Sequence, residues 1–192
     1  MESLRTDQTT PMLASCVSEL GGLAVAALAG HVVGVSFGNR HARDAISALS
    51  RRLAPRAIDE KRSIKKIDPE ADLFLAEQTL EQLQQFAAGE QIDLRRIPVS
   101  LHHLTAFQRQ VVKACRAIKR GECRTYGQVA ALAGSPGAAR AVGQVMRTNR
   151  TPLIVPCHRV VAAGGKIGGF SAPQGLAMKR RLLELESNSL FS

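Results

Sequence analysis

A cysteine, a histidine and an arginine stand in consecutive positions late in the chain, as Cys157-His158-Arg159. A thiol becomes nucleophilic when nearby cations stabilise its thiolate, and a histidine can act as the base that removes the thiol proton. Adjacent side chains of an extended segment rarely point the same way, so a bridging water would serve as well as direct contact between Cys157 and His158. The triplet therefore predicts a reactive thiol supported by its neighbours.

Two other interpretations of Cys157 stay open at this point. Buried cysteines are commonly inert small hydrophobic residues. Zinc sites usually need CxxC or HxxxH spacing and four ligands, and nothing near Cys157 supplies them, so the sequence predicts no metal here. The other cysteines, Cys16, Cys115 and Cys123, are too scattered for a disulfide framework, which favours a reducing, intracellular setting.

The segment before Cys157 can hold it rigidly. Leu153 to Val155 is a short apolar run between two prolines, typical of a buried strand or extended core segment. Pro156 favours an extended or turn entry into Cys157. We therefore expect the thiol on a rigid, partly buried support.

The charge of the chain is concentrated in its second half. Residues 1–100 hold 12 Lys and Arg against 13 Asp and Glu, whereas residues 101–192 hold 14 against 3. This asymmetry indicates a polyanionic partner, nucleic acid before membrane, although a solvated basic surface would look the same. No run of 18 apolar residues predicts a membrane span, and the N-terminus does not resemble a signal peptide.

The first half predicts a small α/β unit. Residues 1–15 look loose and polar, while the runs 23–28 and 32–37 predict a hairpin. Helical spacing predicts helices over 40–53 and 71–87, the second with a buried stripe of Leu73, Phe74, Leu80, Leu83 and Phe86. Residues 54–69 are expected to form a loop. The polar connection 89–100 suggests a boundary between domains 1–95 and 96–192.

The second half predicts helices, including a helix-turn-helix. Residues 105–119 have helical spacing with Cys115 on the core stripe, and Thr125 is a suitable N-cap for a helix over 126–133. Gly134 breaks that helix, and Ser135-Pro136 predicts the start of the next. Two short helices around a tight turn are typical of DNA-binding proteins. The small residues of the second helix suit close approach to a DNA backbone or to neighbouring helices.

A glycine-rich stretch and a final helix complete the chain. Residues 162–171 lack the spacing of a phosphate-binding loop and predict a wall around Cys157. Residues 175–186 predict a helix with Leu176, Leu182 and Leu183 inward. By spacing alone, Glu184 and Glu186 are best interpreted as solvated residues at the helix end.

These motifs resemble the O6-alkylguanine-DNA alkyltransferase family, the methylated-DNA–protein-cysteine methyltransferases. The resemblance covers about residues 107–186 and depends on the segments 156–160 and 139–143 and on Asn149. It implies a ribonuclease-H-like α/β first domain and a mainly helical second domain. The implied substrate is duplex DNA containing O6-alkylguanine, and secondarily O4-alkylthymine, bound through the minor groove with the nucleotide flipped out. It also implies a monomer that needs no cofactor, in the cytoplasm and at the nucleoid.

The resemblance also assigns residue roles. Cys157 would accept the alkyl group, His158 would take its proton through a water, Glu186 would orient His158, and Asn149 would brace the turn. Arg140 would fill the gap in the duplex, and Tyr126 would press on the target phosphate. Further DNA contacts are implied for Ala138, Ala139, Gly143 and Arg147, and a substrate pocket is implied for Tyr126, Met146, Val160, Phe170 and Ser171. The carbonyls of Cys157 and Val160 and the N–H of Ser171 would recognise guanine.

Some features depart from the family. Many members have tyrosine where Phe170 stands, and the loop 170–175 is about two residues longer, which predicts lower tolerance of bulky O6 groups such as benzyl. Members with N-terminal zinc use cysteines and histidines; the candidates here are Cys16, His31, His102 and His103, without a matching cysteine pair, so we predict no zinc.

Two other functions remain to be weighed against alkyl transfer. One is a non-catalytic protein that recognises the lesion, although such relatives replace the acceptor cysteine. The other is a cysteine hydrolase, which would need an oxyanion hole and would not explain the charge asymmetry.

Overall fold

The computed structural model describes residues 10–53 and 68–188. The fold is mixed α/β, as predicted, and the expected loop over 54–69 lies mostly outside these residues. The strands are β1 (Met12–Ser18), β2 (Gly21–Leu28), β3 (His31–Asn39), β4 (Arg124–Thr125) and β5 (Val160–Val161). The helices are α1 (Ala42–Leu53), α2 (Pro69–Ala87), α3 (Ala106–Arg116), α4 (Tyr126–Leu132), α5 (Ala139–Arg147) and α6 (Gly175–Asn188).

The first half is built on an antiparallel sheet in the order β1-β2-β3. The predicted β2–β3 hairpin is confirmed, and its turn uses the left-handed residues Ala29 and Gly30, with φ of 52° and 73°. The buried carboxylate of Asp72 on α2 accepts both turn N–H groups, at 2.7 and 2.6 Å. The helix therefore fixes the turn that the sheet needs.

Strand β1 corrects the prediction that residues 1–15 are loose for residues 12–15, while residues 1–9 lie outside the described part of the chain. It pairs with β2 along its whole length, for example Ala14 with Val25, and its residues are mostly half-buried. Its sequence alternates weakly between apolar and polar residues, so it forms chiefly because β2 offers a free edge.

Helices cover both faces of this sheet. Ala45, Leu49 and Leu53 of α1 pack on one face, and Leu83 and Phe86 of α2 pack on the other. The predicted helices are confirmed, but Phe74 is 60% exposed, so its place on the buried stripe was wrong. Ala76 and Thr79 occupy the buried face instead, because they follow Asp72 at i+4 and i+7 on the helix face that meets the sheet.

The second half packs α3, α4 and α5 around its own apolar cluster. Helices α3 and α4 both begin with capping boxes, Thr105 with Gln108 and Thr125 with Gln128. Helices α4 and α5 form the predicted helix-turn-helix. Helix α5, however, begins at Ala139 with no side-chain cap, so the predicted start at Ser135-Pro136 was wrong. The left-handed Gly137, with φ of 87°, prolongs the turn by three residues.

Helix α6 returns to the sheet of the first half. Met178 and Leu182 are fully buried in the same cluster as Leu153, Ile154 and Phe37. Leu176, predicted inward, is 43% exposed because it lies in the first turn, before the helix reaches the sheet. The boundary near residue 95 stays a prediction, and apolar residues on both sides of it share one core. No helix among the described residues is long and apolar enough to cross a membrane.

Candidate active site

Cys157, His158 and Arg159 form a buried 3₁₀ turn. The chain enters it through two tight hydrogen bonds: Cys157 N–H donates to the Val155 carbonyl at 2.8 Å, and Arg159 N–H donates to the Pro156 carbonyl at 2.9 Å. Val160 N–H then donates back to the Cys157 carbonyl. The thiol is thus held by backbone that has little freedom to move.

Asn149, just after α5, connects the helix-turn-helix to this turn. Its amide donates to the Val155 carbonyl at 2.9 Å, and its carbonyl accepts from Thr151 N–H at 3.1 Å. Burial raises the pKa of the Cys157 thiol, and a side-chain hydrogen bond from Asn149 opposes that rise. A movement of α5 would therefore be transmitted to the thiol through one side chain.

The structure brings His158 and Glu186 together, 28 residues apart in sequence. His158 Nε2 lies 2.8 Å from Glu186 Oε1, and both side chains are buried. Arg159 donates from Nε at 2.9 Å and from Nη2 at 2.8 Å to the same carboxylate. Its Nη1 donates to the Ile118 carbonyl at 2.6 Å. The interpretation of Glu186 as a solvated residue was wrong, whereas Glu184 is exposed.

The electrostatics of this cluster set its charge states. Burial alone would raise the pKa of the Glu186 carboxyl, but His158 and Arg159 outweigh burial and lower it to about 2. Burial, opposed by Glu186, lowers the pKa of His158, which favours a neutral ring. When Nε2 carries the proton given to Glu186, Nδ1 is left as a lone-pair acceptor. His158 Nδ1 is buried and has no hydrogen-bond partner within residues 10–53 and 68–188.

Burial raises the pKa of the Cys157 thiol above its ordinary 9.0. The side-chain hydrogen bond from Asn149, the charge of Lys179, and backbone N–H groups of Cys157 and His158 all act in the opposite direction. The thiol is therefore protonated at rest, while the groups that would stabilise its thiolate are already in place. A nearby base is needed to complete its activation.

Cys157 lies at one side of an open cavity of about 290 Å³. The cavity joins the helix-turn-helix to the glycine-rich wall, and its lining residues are Tyr126, Gly143, Met146, Arg147, Cys157, Gly169, Phe170 and Ser171. A larger cavity of about 330 Å³ borders Pro156 and Arg159 but contains neither Cys157 nor His158 in its lining. A third cavity, of about 60 Å³, also borders Cys157 but is much smaller. The cavity of about 290 Å³ is therefore the larger of the two that border the thiol.

Most of the predicted pocket residues line this cavity. Tyr126, Met146, Phe170 and Ser171 do so, whereas Val160 is buried in β5 outside the lining, and its carbonyl accepts from Lys179. Gly168, with φ of 75°, lets the wall pass close to Tyr126, since a Cβ there would lie 3.1 Å from the ring. The wall can take this path only with glycine at that position.

The residues predicted to contact DNA lie on or beside α5. Arg140 is exposed, Ala138 and Ala139 are half-buried at the start of the helix, and Gly143 and Arg147 reach the cavity rim. A Cβ on Gly143 would stand 3.9 Å from the Tyr126 ring. The exposed side of α5 and the mouth of the cavity therefore share one edge.

The sequence did not predict the buried contacts of two charged side chains near the thiol. The sequence indicated Arg159 only as a cation near the thiol, and its hydrogen bonds to the Glu186 carboxylate were not predicted. Lys179 is fully buried beneath the cavity although lysine is normally exposed. A signal for it existed: Lys179, Leu182 and Glu186 stand at i, i+3 and i+7, the spacing of one helix face.

Comparison with known proteins agrees with this geometry. Residues 106–188 match the family model for the 6-O-methylguanine DNA methyltransferase DNA-binding domain. Methylated-DNA–protein-cysteine methyltransferases from Mycobacterium bovis and Homo sapiens are 44% and 46% identical over 115 and 110 residues. These alignments cover 57% and 55% of this chain, and 64% and 52% of the lengths of the two relatives.

Solved structures extend the similarity to both halves. The Mycobacterium tuberculosis OGT crystallised in complex with DNA is 32% identical, with a TM-score of 0.66 over 93% of this chain and 94% of that one. The O6-methylguanine-DNA methyltransferase of Pyrococcus kodakaraensis is 26% identical, with a TM-score of 0.63 over 92% and 99%. The chain belongs to the methylated-DNA–protein-cysteine methyltransferase family.

Proposed function

We propose that this protein repairs DNA by transferring the alkyl group of O6-alkylguanine in a duplex, and secondarily of O4-alkylthymine, irreversibly to Cys157. The observation that supports this most is the position of the thiol: it borders a cavity that opens beside the helix-turn-helix, with the His158–Glu186 pair behind it. The cavity is close to the lower end of typical ligand pockets, roughly 300 Å³. Membership of the family supports the same reaction.

The chemistry begins with proton removal from Cys157. His158 Nδ1 accepts the thiol proton through a bridging water, and Glu186 stabilises the imidazolium that results. Sγ then attacks the alkyl carbon in line, forming the S–C bond while the C–O6 bond breaks. The leaving guanine takes a proton at N3 from the Tyr126 hydroxyl. The His158 imidazolium then returns its proton through water to the Tyr126 phenolate, and exchange with solvent moves the guanine proton from N3 to N1. The products are a thioether on Cys157 and an unmodified guanine, and no cofactor takes part.

Access to O6 requires the nucleotide to leave the base stack, which costs a few kcal/mol. We assign α4 and α5 to the minor groove, where the small residues Ala138, Ala139 and Gly143 allow close approach to the backbone. Exposed Arg140 would occupy the gap, and Tyr126 would press on the target phosphate. The excess of basic residues in the second half favours duplex DNA as the partner.

Guanine would be recognised at the cavity wall. Ser171 lines the cavity, so its N–H can donate to the base. The Cys157 carbonyl already accepts from Val160 N–H, and the Val160 carbonyl already accepts from Lys179. Each carbonyl oxygen has a second lone pair that can accept from the base. We further propose that the protein acts as a monomer in the cytoplasm and at the nucleoid.

The alternative function is lesion recognition without chemistry. Both functions predict tight binding of a duplex containing O6-methylguanine, and only alkyl transfer predicts restoration of guanine in the DNA. The test is chromatographic analysis of the digested duplex after incubation with wild-type protein or with Cys157→Ser. Restored guanine with the wild type alone supports transfer, whereas tight binding with the lesion intact would favour recognition.

A further inference from the structure

Lys179 is a lysine buried in the protein interior, where a charge is unfavourable. The Lys179 side chain on α6 is 0% exposed, and desolvating an ammonium is unfavourable unless it is well paired. Its Nζ donates to two carbonyl oxygens, of Val160 at 2.6 Å and of Gly169 at 3.3 Å. Among the described residues, no carboxylate lies within salt-bridge distance of it.

The two carbonyls belong to two different segments beside the cavity. Val160 directly follows the 3₁₀ turn that presents Cys157, and Gly169 is part of the glycine-rich wall. Lys179 Nζ also lies 5.9 Å from the centre of the Tyr126 ring, which lines the cavity. One ammonium therefore joins the parts whose spacing decides the shape of the cavity.

The ionisable groups that interact electrostatically with this ammonium offer one candidate counter-charge. They are three thiols, one imidazole and one phenol: Cys157, Cys115, Cys123, His158 and Tyr126. Burial raises the pKa of the Cys115, Cys123 and Tyr126 groups and lowers that of His158, which keeps all four neutral near neutral pH. The thiolate that forms on Cys157 during the reaction is the remaining anion. Cys157 lines the same cavity as Gly169, whose carbonyl accepts a hydrogen bond from the Lys179 ammonium.

We propose that Lys179 is a positioning residue for alkyl transfer. It holds the carbonyls of Val160 and Gly169 so that the two segments beside the cavity keep their spacing, and it supplies the positive charge toward which the Cys157 thiolate forms. The assignment of the reaction rests on the proposed function, but the pairing of thiolate and ammonium exists without DNA.

The test is the pH dependence of Cys157 modification by iodoacetamide, followed by peptide mass spectrometry. Lys179→Met keeps the length of the side chain and removes its charge, and Lys166→Met is the matched control at an exposed lysine of the glycine-rich segment. We expect Lys179→Met to move the midpoint to higher pH and to lower the rate at neutral pH about tenfold. Lys166→Met should match wild type, and Lys179→Arg should retain most of the rate.

A folded Lys179→Met protein with the wild-type midpoint would overturn the proposal, because a purely structural lysine would not move the thiol pKa. If Lys179→Met does not fold, the wild type supplies the reciprocal measurement. The ¹³Cε resonance of Lys179, assigned by its loss in Lys179→Arg, is titrated before and after iodoacetamide blocks Cys157. Linkage predicts a lower Lys179 pKa after blocking, and an unchanged pKa would refute the pairing.

Methyl transfer from a duplex containing O6-methylguanine is measured in parallel. Transfer by wild type together with a full-rate Lys179→Met variant would overturn the role of Lys179 and leave the proposed function intact. No transfer by wild type, with the iodoacetamide midpoint shifted in Lys179→Met, would refute the proposed function and leave the charge pairing standing.

Discussion

At the scale of single residues, Glu186 provides the test of the buried pair behind the thiol. Glu186→Gln removes the carboxylate that His158 and Arg159 share, leaving the Arg159 charge buried without its partner. We expect transfer to slow about 100-fold because the imidazolium loses its stabilising charge. Stability should fall by about 3 kcal/mol, measured by denaturant unfolding.

The control for this prediction is Glu184→Gln, two positions earlier on the exposed side of α6. It should leave both the transfer rate and the unfolding midpoint within error of wild type. Equal rates for the two variants would show that the buried pair does not serve the reaction.

Cys157 and His158 could be identified from the sequence because a cysteine beside a histidine indicates a thiol that can be activated as a nucleophile. Glu186 could not be separated from a solvated helix end by spacing, since nothing local indicates that α6 turns this residue inward. The burial of Lys179 was not predicted because lysine is normally expected at the surface. Only the tertiary structure shows that its ammonium donates to the carbonyls of Val160 and Gly169.

At the scale of elements, the two capping boxes make a matched pair. Thr105→Ala and Thr125→Ala each remove the side-chain acceptor at a helix start, and each should cost about 1 kcal/mol of stability. Only Thr125 caps a helix of the helix-turn-helix, α4, which begins at Tyr126. Duplex affinity, measured by fluorescence anisotropy, should therefore weaken in Thr125→Ala and stay unchanged in Thr105→Ala; equal losses would argue against α4 as a DNA-contacting helix.

Arg140 gives the second prediction at this scale. It is exposed on α5 and does not line the cavity, so it can act on the duplex but not on a free base. Arg140→Ala should slow repair of the duplex about tenfold while leaving reaction with free O6-methylguanine unchanged. Parallel losses on both substrates, in single-turnover rates, would exclude a role confined to base extrusion.

The helices and the β2–β3 hairpin could be predicted because hydrophobic spacing, caps and glycines agree locally. Strand β1 could not, since its weak alternation becomes a strand only through pairing with β2. The start of α5 was misplaced because Ser135-Pro136 is a good local start signal, and the left-handed Gly137 overrides it.

At the scale of the whole molecule, stability should fall in acid. His158 has a lowered pKa in the folded protein, so the unfolded chain binds more protons as pH falls through the ordinary value of 6.5. Glu186 acts in the same direction: its contribution is complete above its ordinary 4.5 and is lost as pH falls toward about 2.

Calorimetry should therefore show the melting temperature falling steadily from about pH 7 to about pH 3. The part of this fall below about pH 5 should be shallower in Glu186→Gln, which has no carboxylate to protonate. A melting temperature that rises on acidification would contradict the assigned charge states.

The packing of the two halves against each other could not be predicted from the sequence. Charge and composition predicted a basic second half, but not that Met178 and Leu182 of α6 would complete the core of the first. Such contacts depend on residues more than 100 positions apart, which no local pattern encodes.

The most direct test of the account is intact-protein mass spectrometry after incubation with a several-fold excess of duplex containing one O6-methylguanine. Transfer to Cys157 predicts a single added methyl group per protein molecule, mapped to Cys157, and no addition in Cys157→Ser. An unchanged mass in a protein that binds the lesion tightly, or a methyl group on another residue, would contradict it.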